Sequence, residues 1–298
     1  MTDLPHRGMK AKTIKAILAK KFKSFADTIE DEAVRKMVQN NTIITGGCIA
    51  SMLLGEKIND FDLYFTDKAT CLAVGKYYVE KFTKATGWPM QIEDKDDRIR
   101  IVTAAGHRGE TAGDVAVLDD SGAIEDAYED LNEAALDTES EGRPEYRPVF
   151  MSTNAITLSD KIQIVLRFYG AADQIHENYD FVHCTNYWLS KDGSLTLRQP
   201  ALESLLCKEL RYVGSKYPVC SVIRLRKFIR RGWVINAGQI LKMMMQISEL
   251  DLTDPKTLED QLTGVDSAYF LEVMRKVREN DPEKVNAAYL VEIIDRMF

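Results

Sequence analysis

Residues Thr45–Phe65 read TGGCIASMLLGEKINDFDLYF. The glycine pair Gly46–Gly47 enters a short apolar run, Ile49–Leu54, that suits a helix. The stretch INDFDLYF then alternates with period two. Ile58, Asp60, Asp62 and Tyr64 share one face of a strand; Phe61, Leu63 and Phe65 share the other. Asp60 and Asp62 therefore point to the same side, about 6–7 Å apart. Two carboxylates that close repel each other unless a positive charge stands between them. Mg²⁺ takes hard oxygen ligands, often one or two carboxylates with phosphate oxygens and water completing the shell. Glycines let backbone N–H groups approach phosphate oxygens, and the helix that follows adds its positive end. Asp-Phe-Asp alone is most simply an edge strand with solvated acids. Behind a glycine pair and a short helix it has the parts of a metal–triphosphate site.

Working outward, residues 10–38 have helical periodicity, and NTIIT enters the glycine turn as a strand. A helix is expected from Asp67, its N-cap, to about Lys84. MQIEDKDDRIRIVTA reads as a hairpin with the charged run as its turn. Residues 106–148 read as a polar insertion; eleven acidic residues and one arginine lie between Asp119 and Glu145. NAITL, KIQIVLRF and DFVHCTNYW read as strands, and AADQIHENY as a short helix. From Pro200 the pattern is helical: about 200–213, 219–231, 235–249, 256–262, 266–279 and 282–297. We expect an α+β mixed-sheet head over residues 1–190 and an all-helical unit over 191–298.

The net charge of −7 hides a polarity. Against the acidic insertion stands Lys208–Arg231, with eight basic residues and one glutamate. Such a segment attracts phosphates, of a nucleotide or of a nucleic acid. No apolar run approaches the roughly 20 residues of a membrane span. Five scattered cysteines suit reduced thiols and a cytoplasmic setting, and four scattered histidines argue against zinc. No nucleophile carries a hydrolase motif, and no dinucleotide fingerprint is present.

The glycine pair followed by the Asp-x-Asp strand resembles the signature of the DNA polymerase beta nucleotidyltransferase superfamily. It is most similar to the bacterial-type tRNA nucleotidyltransferase and poly(A) polymerase branch, through Gly46, Gly47, Leu53, Leu54, Gly55, Asp60 and Asp62. Ala50–Ser51 stands where that branch has Arg-Asp. NYDFVHCTNYW matches its ribose-recognition motif at Asp180, Phe181 and Asn186, with Asn178 and Tyr179 in place of two arginines. RLRKFIRRGWVI has the rhythm of its basic helix through Arg224, Lys227, Phe228, Gly232, Trp233 and Ile235. The acidic motif by which the branch selects C or A is not found. The resemblance implies a polymerase-beta-like head with Asp60 and Asp62 as metal ligands in a two-Mg²⁺ site. Asp180 is the candidate third catalytic carboxylate or ribose contact, with Asp114 and Glu93 as runners-up and Gln163 where an acid is expected. Gly46, Gly47, Ser51, Arg224 and Lys227 are the candidate nucleotide-binding residues. The implied reaction transfers NMP from an NTP to an acceptor hydroxyl, an RNA 3′ end first. Alternatives are a protein or small-molecule acceptor, or a binding module without turnover.

Overall fold

The computed structural model describes residues 8–96, 98–103, 145–152 and 154–252, together with 254, 257 and 261. Its centre is a seven-stranded mixed sheet in the order β5-β6-β7-β2-β1-β8-β9. The strands are β1 Thr42–Thr45, β2 Phe61–Phe65, β5 Pro148–Met151, β6 Ala155–Leu158, β7 Ile162–Tyr169, β8 Tyr187–Leu189 and β9 Leu195–Thr196. β2 and β7 run parallel; the other neighbours are antiparallel. The hairpin β3 (Met90–Asp94) and β4 (Ile99–Thr103) forms its own sheet, as its alternation predicts.

Residues 10–38 form two helices, not one. α1 (Ala11–Ala26) ends at Asp27, and Asp31 starts α2 (Glu32–Asn41) by accepting the Val34 N–H at 3.0 Å. An aspartate at a chain reversal favours a cap over helix continuation. α3 is Gly47–Leu54. α4 (Lys68–Thr86) begins at Asp67 as expected, with its carboxylate accepting the Thr70 N–H at 2.7 Å.

One face of the sheet packs under α1, α2 and α4. Phe61, Leu63, Phe65, Ile162, Ile164 and Leu166 join Leu18, Phe25 and Val74 there in the main core. The opposite face carries Asp62, Tyr64 and Gln163, with Ile43, Tyr64 and Ile175 forming a smaller apolar cluster. The period-two pattern sorts these residues correctly, because each buried face demands its own register.

DFVHCTNYW departs from its expected continuous strand. Phe181 makes one bridge to Tyr212, Val182–Cys184 is a 3₁₀ turn, and pairing resumes only at β8. The Thr185 hydroxyl and N–H both return to the Val182 carbonyl, at 2.7 and 3.1 Å, which closes the turn. α5 (Ala172–His176) precedes this turn, and α6 (Gln199–Cys207), α7 (Pro218–Arg230) and α8 (Ala237–Ser248) follow it. α6 is shorter than predicted because Lys208 adopts a left-handed cap. Glu209–Leu210 (β10) then pairs in parallel with Val234–Ile235 (β11). Ala50 of α3 packs with Phe181, Leu205, Tyr212, Trp233 and Met243, so the late helices seat against the glycine-led helix. Nearly all of the acidic insertion, Asp114, and the helices expected after about residue 262 lie outside the described residues.

Candidate active site

Asp62 sits in the middle of the sheet, opposite Thr45 of β1 on one side and Gln163 of β7 on the other. Asp60 lies one residue before β2, because pairing begins where the Phe61 N–H meets the Lys161 carbonyl at 2.8 Å. The two acids still converge on one amide. In the orientation that satisfies both groups, the Gln163 side-chain nitrogen donates to Asp60 Oδ2 at 3.2 Å and Asp62 Oδ1 at 3.1 Å.

The glycine pair has a division of labour. Gly46 takes φ +92°, a region costly for any residue with a side chain, and a Cβ there would stand 2.7 Å from Asp62 Oδ2. Its N–H donates to the Cys184 carbonyl at 3.2 Å, which pins the turn. Gly47 begins α3, and a Cβ built on it meets nothing within 4 Å. The first turn of α3 is thus open beside the acid pair. Thr45 is held in turn: its hydroxyl contacts His176 Nε2 at 2.9 Å and donates to the Asn186 carbonyl at 2.8 Å.

Both aspartates are half-buried, and burial raises both carboxyl pKa values. At Asp62 the negative charge of Asp60 adds to the rise; at Asp60 its own backbone hydrogen bond and the Lys227 charge partly oppose it. The nearby Cys48 thiol is also pushed well up, first by burial and then by the two acids. The pair therefore carries an unmet demand for positive charge. Among the described residues no group of three or more His, Cys, Asp or Glu side chains is arranged around a metal position. The donor set is two carboxylates beside a neutral amide. That chemistry fits a hard cation that completes its shell with phosphate and water oxygens.

Helix α7 brings the predicted basic residues to this face. Arg224, Lys227 and Arg231 follow one another at i, i+3 and i+7 and meet an acid each. Arg224 Nε pairs with Asp180 Oδ2 at 2.8 Å, the Lys227 charge acts on Asp60, and Arg231 pairs with Glu56. Glu56 also pairs with Lys208 at 3.1 Å. Burial pushes its carboxyl up, but the hydrogen bonds from Arg231 and Lys208 win and hold it below its ordinary value. Glu56 was invisible in sequence, since a glutamate in a turn carries no signal of its partner.

The remaining candidates are placed less centrally. Asp180 is held by Arg224, and its other oxygen accepts the Phe181 N–H at 3.0 Å. Ser51 lies one turn along α3 and is buried. Glu93 is on the separate hairpin, bonded by Arg100 at 2.7 Å, and does not join the pair. Tyr64, on the face the alternation assigns it, lies beside the acids with its ring centroid 6.1 Å from that of Tyr179, whose place there was not anticipated.

Three likenesses to known proteins accompany this geometry. "Gabija anti-defense 2" of Bacillus phage SPbetaL7 is 19% identical over 243 residues, covering 79% of this chain. The chain spans only 44% of that protein's length. The Thermotoga maritima CCA-adding enzyme complexed with tRNA is 13% identical, with a TM-score of 0.41, covering 90% of this chain and 51% of that one. The Bacillus stearothermophilus CCA-adding enzyme in complex with CTP is 12% identical, with a TM-score of 0.37, over 84% and 50%. At those scores the architecture rests on the sheet described above. A family match covers residues 16–208, from α1 through the glycine turn and the acid pair to the start of β10. The chain belongs to the Gabija anti-defense 2 family.

Proposed function

We propose that this protein is a metal-dependent nucleotidyltransferase that moves NMP from an NTP to an acceptor hydroxyl, with an RNA 3′ end as the first candidate. The observation that carries the reading is the half-buried Asp60–Asp62 pair, set against the Gly46 backbone and the open start of α3. Asp60 and Asp62 would hold Mg²⁺, in the two-metal arrangement that the sequence resemblance implies. Bound there, the metal lowers the pKa of the attacking hydroxyl and balances charge on the departing pyrophosphate. The Gly47 end of α3 presents backbone N–H groups and the positive helix end to phosphate oxygens. Lys227 adds a positive charge from α7. Asp180, fixed by Arg224, is available to a ribose hydroxyl. Residues 1–190 would act as the catalytic head and 191–298 as the unit that closes over the nucleotide.

The family's name leads us to propose further that the transfer serves to counter Gabija defence. Incubation with each labelled NTP, Mg²⁺ and total RNA tests the chemistry. Labelled RNA supports the reading; labelled protein shifts the acceptor; no label, with wild type and Asp62→Asn alike, removes the enzyme. Plating of a phage supplying wild type or Asp62→Asn on a Gabija-bearing host tests the biological role.

One observation favours a second reading, a nucleotide-binding module without turnover. Gln163 places a neutral amide against both acids where a third carboxylate would extend the metal site. Tight Mg²⁺-dependent NTP binding with no label transferred to any acceptor selects that reading.

A further inference from the structure

β7 carries a second feature beyond Gln163. Four residues on, where the pairing of β7 with β2 shifts register, stands Arg167, which is 6% exposed. Its Nε donates to the Tyr217 hydroxyl at 3.1 Å, and its guanidinium lies 5.5 Å from the Phe168 ring centroid. Among the described residues no carboxylate pairs with it, and its two terminal nitrogens make no hydrogen bond. They belong to a cavity of about 200 Å³ lined by Arg167, Phe168, Tyr169, Asn178 and Lys216. Among the described residues no acid lines this cavity.

With no protein acceptor among the described residues, the terminal guanidinium nitrogens are available to an acceptor that enters the cavity. The planar fork of arginine matches phosphate oxygens two at a time. The Tyr169 hydroxyl adds a donor and the Lys216 ammonium a positive charge around the same space, while the Asn178 amide nitrogen is held by the Gln174 and Ile175 carbonyls. The ligand class is a phosphate group.

Position says which phosphate. β1 ends at Thr45 opposite Asp62, so Gly46, Gly47 and the start of α3 lie beyond Asp62 toward the beginning of β2. β7 runs parallel to β2, so Arg167 lies the other way, within about 10 Å of the level of Asp62 along β2, because Tyr169 two residues later pairs with Phe65. In displacement at phosphorus the entering hydroxyl and the leaving pyrophosphate stand roughly in line on opposite sides. With the NTP phosphates over Gly47, the Arg167 cavity is on the acceptor's side. Resting on the transferase reading above, we propose that this cavity binds a backbone phosphate of the acceptor polynucleotide, within a few nucleotides of its reacting end.

Binding, with no turnover, tests it. The probes are a fluorescein-labelled single-stranded RNA oligonucleotide followed by anisotropy, and ATP with Mg²⁺ followed by calorimetry. Lys216→Gln changes an exposed residue and is expected to fold; Arg167→Gln is the stronger variant, checked first by thermal melting. Each is expected to weaken RNA binding about tenfold for unrelated sequences and to lower the log–log salt slope by roughly 0.7. ATP affinity should stay at the wild-type value. Weaker ATP binding with unchanged RNA binding overturns the proposal and makes the cavity a nucleotide subsite. No change in either, or no RNA binding by wild type, also overturns it. RNA binding that depends on both residues in a protein that transfers no label upholds the phosphate site and removes only the transferase reading.

Discussion

Gly46 and Gly47 are neighbours in sequence with opposite tolerances. Gly46→Ala places a methyl 2.7 Å from Asp62 Oδ2 on backbone at φ +92°. It should cost about 1–3 kcal/mol and displace the carboxylate, lowering both melting temperature and activity. Gly47→Ala meets nothing and starts a helix with a better helix former, so its melting temperature should hold or rise slightly. Its added methyl stands where phosphate oxygens are expected, so NTP affinity should fall. Equal losses of stability in the two variants would remove the distinction. Asp62→Asn makes the matching case for charge. Burial and Asp60 already disfavour the Asp62 anion, so neutralising it should leave the metal-free fold as stable or slightly more so. Nucleotidyl transfer should drop by roughly 100-fold or more. Activity within tenfold of wild type sinks the metal reading.

At the scale of the element, α7 brings Arg224, Lys227 and Arg231 along one face, at i, i+3 and i+7. Arg224 and Arg231 pair with Asp180 and Glu56, and the exposed Lys227 stands close enough for its charge to act on Asp60. Lys227→Ala should therefore lower kcat/KM for NTP by about 10–100-fold, the loss of one charge-assisted contact. It should also let the Asp60 carboxyl rise further. Arg230, exposed in the last turn, should act on the acceptor's KM and its salt dependence instead. Varying NTP and acceptor separately distinguishes the two. If both substitutions move only the acceptor's constants, Lys227 has no part in holding the triphosphate.

For the whole molecule, acid should loosen the seat of the late helices. His183 is 1% exposed inside Phe181, Phe228 and Trp233, its ring 4.3 Å from Trp233 and 4.7 Å from Phe228. Burial lowers its pKa to about 4. His176 is lowered to about 4 as well, by burial and then by Arg198. An unfolded imidazole titrates near 6.5, so between these values the unfolded chain binds more protons. The stability from a neutral His183 is complete above about pH 6.5 and is lost as pH falls toward 4. By pH 5 the loss is about 2 kcal/mol, or roughly 5 °C. Asp60 and Asp62, raised by burial, act in the opposite direction, so the comparison with His183→Phe isolates the histidine. The variant should lose less melting temperature between pH 7 and 5 than wild type. Parallel curves would show that His183 carries no such linkage.

Local chemistry wrote much of the fold into the chain. Period-two alternation in β2, the aspartate cap at residue 67 and the glycine pair depend on neighbours within a turn or a strand. Their physics needs no distant partner. The acid pair and the basic i, i+3, i+7 row were legible for the same reason. What tertiary structure decided is which groups meet across the sequence. Gln163 reaches Asp60 and Asp62 only because β7 pairs with β2 across just over a hundred residues. Asp180 answers Arg224, and Glu56 answers both Lys208 and Arg231, only because the late helices seat on α3. Arg167 lines its cavity with its Nε held by the hydroxyl of Tyr217, fifty residues on. Side-chain spacing along one element is a property of the backbone; charge balance in a cleft is a property of the packing that closes it.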